Sequence, residues 1–113
     1  MHEMSLAEGI LRILEENSRT QGYSVVKGVW LEIGRLSQVE PEALSFCFGA
    51  VTRETLADGA KLELIMIDGS GWCHDCSQDV AISSHYDACP QCGSYRVEAT
   101  GGTEMRVKEL EVE

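Results

Sequence analysis

The sequence predicts an α/β fold: a small sheet of about three strands with two helices, interrupted by a four-cysteine zinc-ribbon module. Three observations lead there. Two segments repeat apolar residues at helical steps, three short segments read as strands, and the pairs Cys73/Cys76 and Cys89/Cys92 are separated by twelve residues.

The first helix is expected over residues 4–19, where Met4, Ala7, Leu11 and Leu14 form a stripe widened by Leu6, Ile10 and Ile13. Ser5 with Glu8 gives a capping-box pattern at its start, and Gly22 closes it. Val25 to Ile33 reads as a strand with Val29, Leu31 and Ile33 on one face and Trp30 and Glu32 on the other. Pro41 suits the first turn of a second helix carrying Leu44, Cys47, Phe48 and Val51, with Asp58-Gly59 as its stop. Leu62 to Ile67 is a mostly apolar strand. Met105 to Val112 is the last strand, its alternation slipping near Lys108 in the manner of a bulge or bend. The predicted division is an α/β domain over residues 1–70, completed by the strand in 99–113, and a zinc-binding domain over 71–98. Asp68-Gly69-Ser70-Gly71 and Thr100-Gly101-Gly102 are read as the hinge-like crossings between them.

Cys73, Cys76, Cys89 and Cys92 have the spacing of two tight knuckles that close around one tetrahedral ion. Disulfides or a thioredoxin-type motif would need an oxidising compartment or a strand-to-helix turn at the cysteines, and the sequence shows neither. Gly93, directly after the second knuckle, supplies the positive φ that lets backbone N–H groups point at sulfur. A segment of about 28 residues is smaller than the roughly 40 that fold without a staple, so the ion is expected to contribute its folding energy. His74 lies inside the first knuckle and could replace a cysteine, but four thiols already complete the tetrahedron. His85 reads as a loop residue, with a role near the metal left open. Cys47 falls on the apolar stripe of the second helix as a small buried hydrophobe, and Trp30 and Trp72 read as packing residues.

Nine Lys and Arg against nineteen Asp and Glu set a formal charge of −10, which four thiolates and one Zn²⁺ would take to about −12. That balance opposes nucleic acid and favours cations or basic partners. No apolar run approaches the roughly 18 residues of a membrane span, and no signal-peptide pattern opens the chain, so a cytoplasmic protein with reduced thiols and no membrane association is expected.

The opening residues are a second chemical feature. The α-amine of Met1, the amide and imidazole nitrogens of His2 and the amide of Glu3 can form adjacent chelate rings in one plane. Planar nitrogen coordination suits Ni(II) or Cu(II), not Zn(II). Met1 is expected to stay in place, because a bulky second residue disfavours its removal.

The opening Met-His-Glu-Met-Ser, the segment Gly28-Val29-Trp30-Leu31-Glu32-Ile33-Gly34, the knuckles C-H-D-C and C-P-Q-C, and the close Glu109-Leu110-Glu111-Val112-Glu113 together resemble the HypA/HybF family of hydrogenase nickel-insertion proteins. The resemblance runs along essentially the whole chain. It implies that His2 and the Met1 amine bind nickel, that Glu3 lies in the same site, and that Cys73, Cys76, Cys89 and Cys92 hold zinc. It further implies a nickel metallochaperone, not an enzyme, that acts with a HypB-type GTPase to supply nickel to the large subunit of [NiFe]-hydrogenase. Some members also serve urease, which adds urease maturation proteins to the implied partners. A homodimer is left open. Two other classes compete. A zinc ribbon that binds nucleic acid conflicts with the charge, and a thiol oxidoreductase or zinc hydrolase needs an open metal position or a low-pKa thiol that a closed tetrathiolate site does not offer.

Overall fold

The structure is a computed structural model that describes residues 2–113. Its elements run α1 (Glu3–Gln21), β1 (Val26–Gly34), a 3₁₀ turn (Arg35–Ser37), α2 (Pro41–Val51), β2 (Lys61–Ile67), β3 (Gly69–Cys73), β4 (Gln78–Ile82), β5 (Val97–Gly101) and β6 (Met105–Val112). They form two three-stranded sheets, ordered β2-β1-β6 and β4-β3-β5. The expected two helices and small sheet are present. The second sheet is additional to the sequence expectation.

α1 begins at Glu3, two residues ahead of the expected cap. The His2 carbonyl accepts the first helical bond from the Leu6 N–H at 3.0 Å, so Ser5 and Glu8 lie inside the helix and form no capping box. The buried stripe is Glu3, Ala7, Ile10 and Leu14, whereas Met4 and Ile13 are exposed and Leu11 is only half-buried. A core face centred on Ile10 rotates the stripe away from Met4 and Leu11. Gly22 closes the helix at φ 77°, its N–H donating to the Ser18 carbonyl at 3.0 Å.

β1 alternates as expected, with Val29, Leu31 and Ile33 fully buried and Trp30 and Glu32 half-buried. It runs antiparallel to β6: Glu113 N–H donates to the Val25 carbonyl at 2.8 Å at one end, and Gly34 N–H to the Glu104 carbonyl at 2.8 Å at the other. On β6 the half-buried positions are Met105, Val107 and Leu110, so the alternation does shift next to Lys108.

α2 starts at Pro41, where the Glu40 carboxylate accepts the Glu42 N–H at 3.4 Å, and buries Leu44, Cys47 and Phe48. It ends at Val51, well before Asp58-Gly59. The Thr52 hydroxyl donates to the Phe48 carbonyl at 2.7 Å, and the chain then passes through turns with Glu54 at φ 61°. Asp58 stabilises those turns through the Glu54 N–H at 2.9 Å.

The chain divides into two compact units, Met1–Leu31, Val39–Leu64 and Val107–Glu113 in the first, and Glu32–Gln38 and Ile65–Arg106 in the second. In the first, α1 packs on α2, and Ile10, Leu14, Val26, Val29, Leu31, Leu44 and Phe48 are buried. In the second, Leu36, Cys73, Val80, Ile82 and Cys89 form the apolar cluster, with Cys76, Val97 and Ala99 against it.

Of the glycine-rich segments read as hinges, Gly69, Ser70 and Gly71 lie in β3 and Thr100 and Gly101 in β5, while Gly102 follows β5 in a bend at φ 75°. β3 pairs antiparallel with β4 from Gly69↔Ile82 to Cys73↔Gln78, and with β5 from Ser70↔Gly101 to Cys73↔Val97, with a bulge at Ser70/Gly71. At Gly69 and Gly71 glycine permits close approach. A Cβ on Gly69 would lie 2.5 Å from the Ile82 carbonyl oxygen, and one on Gly71 would lie 2.6 Å from Cγ1 of Val97. Among the described residues no helix is long and apolar enough to cross a membrane.

Candidate metal centre

The first knuckle is the turn of the β3–β4 hairpin. Cys73 ends β3, Cys76 sits in the turn, and β4 starts at Gln78. Ser77 N–H donates to the Cys73 carbonyl at 2.8 Å, which closes the knuckle and puts Ser77 at φ 54°. The second knuckle repeats this closure. Gly93 N–H donates to the Cys89 carbonyl at 2.8 Å with Gly93 at φ 77°. Backbone amides also face sulfur: Cys76 N–H donates to the Cys73 Sγ at 3.5 Å and Gln91 N–H to the Cys89 Sγ at 3.4 Å.

These turns bring all four sulfurs within 4.8 Å of one another. Cys73 and Cys92 are 3.6 Å apart at sulfur and Cys76 and Cys89 3.7 Å apart. Sulfurs at ~2.3 Å from a tetrahedral zinc are separated by about 3.8 Å, whereas a disulfide brings them to ~2.05 Å. The donor set therefore fits one tetrahedral, thiophilic ion and leaves all five cysteines unbridged. Without an ion the thiols perturb one another. Hydrogen bonding with Cys73, burial, and the Cys89 and Cys92 thiols push Cys76 up to about 12. Burial also pushes Cys89 up, but the backbone N–H groups of Cys92 and Gln91 and the neighbouring thiols outweigh it and hold it at about 7. The lowered value favours the thiolate form at Cys89, the form that binds metal.

Both histidines near the knuckles point elsewhere. His74 Nε2 is 3.2 Å from Glu98 Oε1 on β5, and His85 Nε2 is 2.8 Å from the Leu36 carbonyl. The cluster of ligand atoms among the described residues consists of the four cysteines. Cys47 is buried on α2, and Trp30 and Trp72 are half-buried.

At the other predicted site, Met1 lies outside the described residues. His2 is exposed and its side chain makes no capping bond. Glu3 is only 3% exposed, and its carboxylate accepts the Glu40 N–H at 3.1 Å and the His2 N–H at 3.3 Å. Those bonds, with Glu40 the largest contributor, hold Glu3 below the usual glutamate range. In the sequence, Glu3 enters the site through its amide. The role of its carboxylate, which ties the start of α1 to the residue before α2, carries no sequence signal, since nothing in a one-dimensional pattern brings Glu40 near Glu3.

A zinc-ribbon-like site of four cysteines on a small three-stranded sheet, together with a two-helix α/β unit, defines a small metal-handling protein. The chain belongs to the HypA family: the family model described as "Hydrogenase/urease nickel incorporation, metallochaperone, hypA" matches residues 1–112. It is 60% identical over 113 residues to the hydrogenase maturation factor HypA of Azotobacter chroococcum mcd 1 and 58% identical to that of Dechloromonas aromatica, each alignment covering 100% of both chains. It is also similar to the solution structure of the Ni metallochaperone HypA from Helicobacter pylori, with a TM-score of 0.73 and 27% identity, covering 99% of this chain and 97% of that one.

Proposed function

We propose that this protein carries Ni(II) at its N-terminus and helps insert it into the large subunit of [NiFe]-hydrogenase, with zinc held structurally by Cys73, Cys76, Cys89 and Cys92. The nickel ligands are the Met1 amine, the His2 amide and imidazole, and the Glu3 amide. The nickel-binding domain is residues 1–70 with 99–113, and the zinc-binding domain is 71–98. The partners are a HypB-type GTPase and the hydrogenase large subunit, in the cytoplasm. Nickel is cargo, and the protein catalyses no reaction.

The observation that supports this reading is the exposed His2 at the mouth of α1. Its carbonyl is committed to the helix, its side chain is not used as a cap, and the Glu3 amide that follows is one of the first helical N–H groups, which lack an intrahelical acceptor. Two consecutive amides and an imidazole are thus presented ahead of the first closed turn. Loading the site with a deprotonated His2 amide breaks its bond to Glu3 Oε1, and the carboxylate keeps Glu40 as its anchor.

Because amine, imidazole and amide all bind metal in competition with protons, affinity is set by pH and release leaves the fold intact. Calorimetry of the untagged protein tests this. His2→Ala, or an extension before Met1, should abolish stoichiometric nickel binding while zinc content and helical signal stay unchanged. Nickel affinity of the parent should fall as the solution is acidified, because protons compete for the same nitrogen donors. Unaltered nickel affinity in either variant removes the terminal chelate.

A further inference from the structure

The four cysteines are not equally protected. Cys73 and Cys89 are buried, Cys76 is half-buried, and Cys92 is exposed. A competing chelator therefore meets Cys92 first. Cys92 is followed by Gly93 in the left-handed conformation and then by Ser94, Tyr95 and Arg96, which lead into β5. Whether Cys92 can swing off the ion depends on what holds that segment.

Asp75, inside the first knuckle, holds it. Its Oδ2 accepts the Ser94 hydroxyl in a short hydrogen bond, and its Oδ1 accepts Arg96 Nη1 at 2.6 Å. Ser94 is fixed further, because its Oγ accepts the Arg96 N–H at 3.0 Å and its carbonyl accepts the Cys89 N–H at 2.7 Å. The backbone bond from His74 N–H to the Arg96 carbonyl, 2.9 Å, runs alongside. One carboxylate on the first knuckle thus grips two residues immediately beyond the exposed ligand of the second.

Resting on the assignment of zinc to the four cysteines, we propose that Asp75 is a positioning residue whose grip on Ser94 and Arg96 keeps Cys92 on the metal and sets how fast zinc is exchanged. The four cysteines would hold the ion, and its loss to a chelator would require the Cys92 thiolate to leave it together with the segment that carries the sulfur. Asp75 touches neither metal nor sulfur. It opposes the displacement of the segment that carries the sulfur.

Zinc transfer from the full-length parent, Asp75→Asn and Arg96→Gln to a chromogenic chelator tests this, at low and high salt. Both variants should lose zinc about fivefold faster than the parent, the upper end for an exposed ion pair. The Asp75→Asn/Arg96→Gln double variant should be no faster than either single one, because both substitutions remove the same grip. At ~1 M salt, where the Debye length contracts to about 3 Å, the Arg96→Gln rate and the parent rate should converge. Cobalt(II) substituted into each variant should keep the tetrahedral tetrathiolate spectrum. An unchanged rate in either single variant, additive effects in the double, or a cobalt spectrum showing a changed ligand set overturns the proposal. A parent that carries no zinc removes the zinc assignment itself, whereas a zinc-loaded parent with unchanged variants removes only the clamp.

Discussion

The two compact units of this chain are held together by different means. In the helical unit, Ile10, Leu14, Val26, Val29, Leu31, Leu44 and Phe48 are buried from two helices and a strand, a core made of side chains with no other task. In the cysteine unit the apolar cluster is Leu36, Val80 and Ile82 plus Cys73 and Cys89, so two of its five members also belong to the four-cysteine site. The first core is built from burial, whereas the second cluster is small enough that an ion joining the two knuckles would add to its folding energy.

The largest test removes any metal held by the four cysteines. A strong chelator should abolish amide protection between Gly71 and Glu98 and leave the helical far-ultraviolet signal, read by hydrogen exchange and circular dichroism. Structural zinc contributes an apparent ~10–16 kcal/mol in small finger peptides, more than the remaining cluster can replace. Retained protection after complete metal loss would show that both units fold by burial.

The converse test empties the first core. Phe48→Ala should destabilise the helical unit by about 3–5 kcal/mol in urea unfolding, with zinc content of the folded protein unchanged. A simultaneous loss of zinc would mean that the units do not fold independently.

A smaller effect sharpens the role of Glu3. Because its folded-state value is lowered, its contribution is present above the unfolded value of about 4.3 and is lost as pH falls through the folded one. Glu3→Gln should therefore lower the melting temperature at neutral pH, with the difference vanishing in acid. A difference independent of pH would assign the loss to packing and not to charge.

The smallest test compares the two knuckles, which share a closure but not a residue. Gly93 occupies its left-handed turn freely, while Ser77 occupies the same conformation with a side chain. Gly93→Ala should cost about 1 kcal/mol of stability in the cysteine unit, and Ser77→Gly should gain less than that. Thermal unfolding of the zinc-loaded variants measures both, and a destabilising Ser77→Gly would show that the serine side chain has its own role.

The cysteine pairs, the αL turn at Gly93, the helix stop at Gly22 and the alternation of β1 were legible in the sequence because each depends on residues a few positions apart. Spacing decides whether two thiols share a knuckle, and a strand's faces follow from its period of two. What the sequence did not determine depends on partners distant along the chain. Gly69 and Gly71 read as hinges until β4 and β5 are seen against them, because a missing Cβ permits bending and close approach alike. The start of α1 moved from Ser5 to Glu3 because the glutamate finds Glu40, thirty-seven residues on, and so is buried with its charge satisfied. Asp75 likewise acquires its partners only when β3 and β5 pair and carry Ser94 and Arg96 to the first knuckle. Local chemistry is written in neighbouring residues, whereas the worth of a carboxylate or a glycine is decided by what the fold places opposite it.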